Sequence, residues 1–211
     1  ATIVNESFFK DTVVGVVSVP SWTGPVWYVD KDTGADTYTG HPNYPFKTIQ
    51  TAINAILVDA QEVDTVLIDR NTYTETVVID TDYVWIEGVD SNRSVIDPPG
   101  AAGTAGLFGI YADTQTDIVI RNIGVTGAYD GIHFENVDLS TVTQDSAGSN
   151  GNNGVYLLAG SDTNTIRNNL ANSNLNDGIS LDGSVGNSVS NNTANSNTNI
   201  GVRLTSSSNN T

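Results

Sequence analysis

A Gly-aliphatic pair recurs at a nearly constant interval through the C-terminal half of the chain, and this repeat limits the fold more than any other feature. The pairs are Gly109-Ile110, Gly131-Ile132, Gly154-Val155, Gly178-Ile179 and Gly201-Val202. Successive glycines are 22, 23, 24 and 23 residues apart. A fixed period in this range is typical of a solenoid, in which each repeat forms one coil stacked on the last.

Apolar and polar residues alternate after each of these glycines, as in Gly131-Ile132-His133-Phe134-Glu135. Period-two alternation with β-branched residues predicts a strand with one buried face and excludes a helical repeat. A second strand, such as Thr165-Ile166-Arg167, follows in most repeats and ends at an Asn pair, here Asn168-Asn169. Asn tolerates the left-handed backbone of a tight corner, and Asn side chains of stacked coils can form hydrogen-bonded ladders. A third short segment, at residues 171–175 and again at 194–198, completes the coil.

Three short strands and three corners in each repeat predict an all-β fold, a single-stranded parallel β-helix with coils of 22 to 24 residues. A leucine-rich horseshoe has a similar period. The dense leucine pattern that a horseshoe requires is missing from this sequence, so the β-helix is the expected fold.

The pattern divides the chain into three parts. Residues 1–25 are too short for a domain and are interpreted as an N-terminal arm or attachment segment. Residues 26–64 predict a strand, a turn-rich loop and a capping helix that opens at Pro45, with apolar residues at helical spacing beyond it. Such a helix can cover the open end of a solenoid. Residues 65–211 supply the coils, and because the last coil is unfinished we expect either a longer protein or a partner chain at that end.

The charge and composition narrow the range of partners. The chain carries 24 acidic and 8 basic residues, a net charge of −16, so we expect it to repel nucleic acid and anionic membranes. The sequence has no run of apolar residues long enough for a membrane span. It contains no Cys, which excludes disulfides and thiolate metal sites.

Three sequence segments toward the N-terminus form a recognisable pattern, namely Trp27-Tyr28-Val29-Asp30, Tyr44-Pro45-Phe46-Lys47-Thr48-Ile49 and Asn71-Thr72-Tyr73-Thr74-Glu75. Together they resemble the N-terminal cap and first coils of the pectate-lyase-like right-handed β-helix superfamily. The resemblance implies a right-handed coil. The superfamily includes polysaccharide lyases, glycoside hydrolases, epimerases, bacteriophage tailspikes and fibres, and noncatalytic surface proteins. Its lyases typically carry Arg or Lys with clustered calcium-binding Asp on one sheet, and no matching cluster is evident in this sequence.

The strand alternation also predicts which side chains share the outer face of the coils. Tyr111, His133 and Tyr156 fall in one outward column, and Glu135 and Asp182 fall beside it. Tyrosine rings can stack on sugars while carboxylates accept hydrogen bonds from sugar hydroxyls, so these five residues are the candidate glycan-binding set. The alternative is an ordinary solvated face, with His133 as a surface residue.

Two further sets of acidic residues are candidates for catalysis or metal binding. Asp113 and Glu135 lie on adjacent predicted coils, where their separation would suit the carboxylate pair of a glycosidase. Asp30, Asp32 and Asp36 resemble the start of a calcium loop, although His41 stands where the closing Glu should be, and an ordinary turn is the alternative. Calcium at these aspartates is the one cofactor considered, and otherwise none is expected.

The leading interpretation is a structural or receptor-binding component of a bacteriophage tailspike, fibre or similar surface appendage that engages glycans. Such a protein would lie on the virion surface or outside the cell, and the resemblance implies a homotrimer or contacts with other virion proteins. One alternative is a secreted polysaccharide lyase or glycoside hydrolase whose active coils lie beyond residue 211. The other is a noncatalytic structural exoprotein or virion decoration.

Overall fold

The computed structural model describes residues 24–56 and 63–211, and within these residues it contains one helix and seventeen short strands. The predicted N-terminal arm falls almost entirely outside the described residues. The helix is α1 (Ile49–Ala55). The strands are β1 (Val26–Val29), β2 (Asp64–Ile68), β3 (Asn71–Tyr73), β4 (Val77–Ile79), β5 (Val84–Gly88), β6 (Ser94–Ile96), β7 (Ile110–Asp113), β8 (Val119–Arg121), β9 (Gly124–Val125), β10 (Ile132–Glu135), β11 (Thr141–Thr143), β12 (Ser146–Ala147), β13 (Val155–Leu158), β14 (Thr165–Arg167), β15 (Ile179–Asp182), β16 (Ser188–Ser190) and β17 (Val202–Thr205).

The strands form three parallel sheets that run along the solenoid. Sheet I has the order β1-β2-β5-β8-β11-β14-β16, sheet II has the order β4-β7-β10-β13-β15-β17, and sheet III has the order β3-β6-β9-β12. In the regular region each coil contributes one strand to each sheet in turn, as β7, β8 and β9 do. The result is a right-handed parallel β-helix of about six turns, which confirms the predicted fold class.

Aliphatic side chains from successive coils stack in columns that fill the interior. In sheet II one column runs through residues paired in register on adjacent strands, namely Val77, Ile110, Ile132, Val155 and Ile179. All five are fully buried. Burial of each such side chain stabilises the fold by roughly 1.5–3 kcal/mol, so the stack is the main source of stability.

Asparagines at the corners form the ladders that the sequence predicts. Asn168 has a φ of 57°, which turns the chain out of β14, and the next residue, Asn169, points into the corner. The Asn169 side chain accepts a hydrogen bond from the Asp145 N–H at 2.9 Å and donates one to the Val142 carbonyl at 2.9 Å. Asn192 repeats both bonds one coil later. Each corner therefore satisfies buried backbone groups of the preceding coil.

The third segment of the later coils differs from the prediction. Residues 171–175 and 194–198 are not strands. After β12, backbone pairing along sheet III is limited to isolated bridges at Leu170 and Thr193. Ser173 and Ser196 have φ values of 60° and 57°, and this left-handed backbone interrupts an extended segment.

Helix α1 packs against β1, β2 and β4 at the N-terminal end of the stack, and it begins at Ile49 rather than at the predicted Pro45. The intervening Phe46 makes a bridge with Val29 and donates its N–H to the Tyr28 carbonyl at 2.9 Å, which holds this stretch beside β1. The side chains of the helix that face the core are Ile49, Ala52 and Ile53. The predicted cap extends to residue 64, and residues 57–62 of it lie outside the described residues.

Two side chains cap the N-terminus of α1. Thr48 is the N-cap residue, and its side chain accepts a hydrogen bond from the Thr51 N–H. The Glu75 carboxylate accepts hydrogen bonds from the N–H groups of Ile49 and Gln50, each at 3.0 Å. These bonds satisfy helix N–H groups that have no partner within the helix. No helix in the described part of the chain is long and apolar enough to cross a membrane.

Candidate functional site

The outward column of sheet II is assembled as the alternation predicts. Tyr111, His133, Tyr156, Ser180 and Arg203 occupy paired positions on β7, β10, β13, β15 and β17. Adjacent strands of a sheet are about 4.8 Å apart, so large side chains at neighbouring positions of the column are close enough to pack against one another.

An aromatic row occupies the first part of this column. The rings of Phe108 and Tyr111 stack with centroids 5.2 Å apart, and Phe108 also lies 4.1 Å from the His133 ring. Tyr156 packs perpendicular to His133 at 5.1 Å. Phe108 was not among the site residues predicted from the sequence. The sequence does distinguish this position. Phe108 directly precedes the repeat glycine of its coil, whereas Asp130 and an asparagine precede the glycines of the next two coils.

His133 is buried rather than a solvated surface residue, because neighbouring rings cover it and leave it 6% exposed. Its Nδ1 lies 2.9 Å from Oδ2 of Asp130. Asp130 is itself buried and accepts hydrogen bonds at 2.9 Å from the Asn152 side chain and from the Asn153 N–H. These contacts fix the imidazole in one orientation at the side of the row.

The column continues into a groove with a volume of about 350 Å³. Tyr156, Ser180, Asp182 and Arg203 line it. The Arg203 guanidinium binds the buried Asp177 carboxylate through Nε and through Nη2, the latter at 3.2 Å. This ion pair forms one side of the groove and was not predicted from the sequence.

The tyrosine hydroxyls of the row are hydrogen-bond donors at neutral pH. Burial, together with the negative charges of Asp182 and Asp130, raises the pKa of Tyr156 to about 12. Burial and the charges of Asp113 and Glu135 also raise the pKa of Tyr111, whose hydroxyl donates a hydrogen bond to Glu135 at 3.4 Å. Both hydroxyls therefore stay protonated.

The candidate catalytic carboxylates are neighbours, as predicted. Asp113 and Glu135 are paired in register on β7 and β10. Asp113 is exposed and accepts a hydrogen bond from the Asn136 side chain at 3.3 Å. The two carboxylates thus share the rim of the aromatic row with Tyr111, and their role in catalysis stays a prediction.

The candidate calcium ligands do not converge. Asp30 accepts hydrogen bonds from the N–H groups of Asp32 and Thr33, as in an ordinary turn. Although burial raises the pKa of Asp30, the hydrogen bonds from Thr33 and Asp32 lower it overall. The Asp36 carboxylate instead accepts a hydrogen bond from the Thr48 N–H. Within the two described ranges, no group of three or more His, Cys, Asp and Glu side chains is arranged to hold a metal ion.

The fold and the stacked outer columns define a right-handed parallel β-helix protein. Residues 61–211 match the family described as Periplasmic copper-binding protein (NosD), and the chain belongs to this family. Comparison with curated protein sequences gives no match.

Solved structures share the fold at low sequence identity. An alginate lyase from Paenibacillus sp. str. FPU-7 superposes with a TM-score of 0.61 at 14% identity, covering 85% of this chain and 65% of the lyase. The pectin methylesterase PemA from Erwinia chrysanthemi superposes with a TM-score of 0.58 at 15% identity, covering 84% of this chain and 66% of the esterase. The Agl-KA catalytic domain gives a TM-score of 0.51 at 13% identity, covering 76% of this chain and 39% of that domain. The chain therefore spans less than two thirds of each of these proteins.

Proposed function

We propose that the chain is a glycan-binding β-helix and that the sugar binds along the outer face of sheet II. The observation that carries this proposal is the aromatic row of Phe108, Tyr111, His133 and Tyr156, which runs directly into an open groove. The buried part of the row gives the groove a rigid wall, since His133 is held by Asp130.

The chemistry of the face suits a sugar polymer. A pyranose ring has an apolar face that packs against an aromatic ring such as Tyr156. Its hydroxyls can donate hydrogen bonds to Glu135 and Asp182, and they can accept them from the tyrosine hydroxyls. The strand spacing is close to the length of one sugar residue in an extended polysaccharide, so a glycan lying along the solenoid axis would meet a new strand with each sugar.

The comparisons support a location outside the cytoplasm and a polysaccharide partner. The family description places its protein in the periplasm, and two solved structures of the same fold are named for enzymes of pectin and alginate. The more specific role, as a trimeric tailspike, fibre or similar appendage on a virion or cell surface, stays a prediction. Light scattering on protein from its natural source tests it, because the appendage interpretation requires a trimer.

Copper, which the family description names, does not fit the residues of this chain. Proteins bind copper chiefly through imidazole nitrogen and through the sulfur of Cys or Met, with oxygen ligands added in some Cu(II) sites. The chain has no Cys, no Met and two histidines. His133 is buried against Asp130 on sheet II, and Nδ1 of His41 accepts a hydrogen bond from the Asn43 N–H in the N-terminal loop. The proposed function therefore involves no copper.

Two variants of the face test the proposal, together with one control on another sheet. In Tyr156→Ala and in Glu135→Gln, we expect the affinity for a bound oligosaccharide to fall at least about tenfold, the typical effect of removing an interface anchor. Trp85→Ala removes an aromatic side chain from the outer face of sheet I, where Trp85 lies beneath the Arg121 guanidinium, and should leave the affinity unchanged. Binding is measured by calorimetry on proteins with matching circular dichroism spectra.

Unchanged affinity in both sheet II variants would show that the sugar binds elsewhere. The same samples, assayed for new reducing ends and for unsaturated products, test the alternative that the face is catalytic through Asp113 and Glu135. Turnover that is lost in Glu135→Gln would favour the enzyme.

A further inference from the structure

One position interrupts the outward column of sheet II. Tyr156 on β13 is followed in register by Ser180 on β15, and then by Arg203 on β17. A serine fills much less space than a tyrosine or an arginine. The part of the groove at Ser180, which lies between Tyr156 and Arg203 in register, is called the slot, and all three residues line the groove.

The floor of the slot carries a polar group that is available to a ligand. Ser180 is only 4% exposed. It is nevertheless one of the residues that line the groove. A serine hydroxyl can both donate and accept hydrogen bonds, so this one is suited to a sugar hydroxyl that enters the slot.

The charges around the slot restrict the kind of sugar that can enter. The Arg203 guanidinium is already engaged by Asp177, whose carboxylate is 1% exposed. Asp182 adds a negative charge at the rim, and it lines the same groove. The carboxylate of a uronic acid would meet Asp182 without a free cation to offset the repulsion. An uncharged sugar instead offers hydroxyl donors to Asp182 and an apolar face to Tyr156.

We propose that the slot over Ser180 binds a single uncharged pyranose ring, stacked on Tyr156, with its hydroxyls toward Ser180 and Asp182. This subsite rests on the proposed glycan-binding function of the groove, and it adds the position and the charge class of one bound sugar. The subsite thus favours neutral polysaccharides over polyuronates.

A cysteine substitution tests the subsite on folded protein. Because the chain contains no Cys, a thiol reagent modifies only the introduced side chain of Ser180→Cys. The probes are cellohexaose, mannohexaose and N-acetylchitohexaose as neutral hexasaccharides, and hexagalacturonate as the anionic one. Before modification, we expect Ser180→Cys to bind the best neutral probe more weakly than wild type, because a thiol is a weaker hydrogen-bond donor than a hydroxyl. After reaction with N-phenylmaleimide, the affinity of Ser180→Cys should fall at least about a further tenfold, because the ring fills the slot.

The matched control is Ser190→Cys, which places the same thiol at an exposed position on sheet I and should bind equally well before and after modification. Bound neutral hexasaccharide should also slow the modification of Ser180→Cys and leave that of Ser190→Cys unchanged. Hexagalacturonate should bind at least about tenfold more weakly than the best neutral probe.

The outcomes distinguish an error in the subsite from an error in the groove as the glycan-binding site. If modified Ser180→Cys binds like wild type while Tyr156→Ala does not, the groove remains the binding site and the subsite is wrong. Hexagalacturonate binding as tightly as the neutral probes also overturns the subsite. If the wild-type chain binds none of the four hexasaccharides, both the subsite and the proposed function are wrong.

Discussion

Replacing Asp145 with asparagine should stabilise the protein at neutral pH, because Asp145 is an acid in a position built for an amide. Asp145 is 1% exposed and stands one coil before Asn169 in the same corner ladder. Its Oδ1 accepts a hydrogen bond from the Ile123 N–H at 2.8 Å, but its Oδ2 has no partner in the described part of the chain. The equivalent atom of Asn169 is an amide nitrogen that donates to the Val142 carbonyl.

The register of the ladder identifies what the unpartnered oxygen faces. Nδ2 of Asn169 donates to the Val142 carbonyl, and Val142 pairs with Ile120 on β8. From this register we infer that Oδ2 of Asp145 faces the Ile120 carbonyl. Two acceptors then meet unless the acid is protonated. Burial accordingly raises the pKa of Asp145 well above its usual range, although the Ile123 N–H lowers it.

The size of the effect follows from the cost of an unsatisfied buried polar group, about 1–3 kcal/mol. We expect Asp145→Asn to be more stable than wild type by that amount at pH 7. In a chain of this length, this corresponds to a rise in melting temperature of about 2–12 °C.

The gain should depend on pH in a defined direction. A folded-state pKa above the unfolded value means that the folded protein holds the proton more tightly, so wild type loses stability as the pH rises above about 4. Asp145→Asn lacks this loss. The difference in melting temperature should therefore be small at pH 4 and grow toward pH 7.

Thermal unfolding followed by circular dichroism between pH 4 and pH 7 measures both the gain in melting temperature and its dependence on pH. The matched control is Asn169→Asp, which creates the same mismatch one coil later and should lower the stability at pH 7, with partial recovery at pH 4. A melting temperature of Asp145→Asn at or below that of wild type at pH 7, or a difference that does not vary with pH, would refute the ladder argument.

Three further predictions concern the repeat glycine, the cap and copper. Gly154→Ala would place a Cβ 2.6 Å from the carbonyl oxygens of Ala147 and Gly178, so urea denaturation should show a loss of about 1–3 kcal/mol, and an unchanged midpoint would contradict this contact. Glu75→Ala removes two hydrogen bonds to the N-terminus of α1 and should cost about 0.5–2 kcal/mol, whereas Glu75→Gln, which keeps one acceptor oxygen, should cost less. Calorimetric titration with Cu²⁺ should show no binding of one equivalent of copper that depends on His133. If wild type binds one equivalent and His133→Ala does not, the conclusion that copper does not fit this chain is wrong.

The repeat predicted most of the fold because its signals are local. The glycine period predicted the coil length, and the alternation predicted the strands of sheets I and II. The Asn pair at Asn169 predicted the hydrogen-bonded ladder at its corner. The start of α1 was misplaced because Phe46 pairs with β1, a contact between segments that a helical pattern does not reveal. The left-handed serines of the third segment were missed for a different reason, since serine alone does not indicate a positive φ.

The site was predicted less completely than the fold. The column of Tyr111, His133 and Tyr156 follows from alternation alone, and its members are adjacent. Phe108 and the pairing of Arg203 with Asp177 depend on residues that directly precede the repeat glycines, and the alternation that follows each glycine carries no information about them. The burial of Asp145 was visible in principle, because it aligns with Asn169 at the repeat interval.

The central claim is that the outer face of sheet II holds a glycan, and a crystal of the protein soaked with its best-binding neutral hexasaccharide tests it most directly. We expect ordered sugar density along the aromatic row, with one ring over Ser180 in contact with Tyr156. Density confined to another face, such as that of Trp85 on sheet I, or a groove on sheet II that stays free of sugar at saturating concentration, would contradict the account.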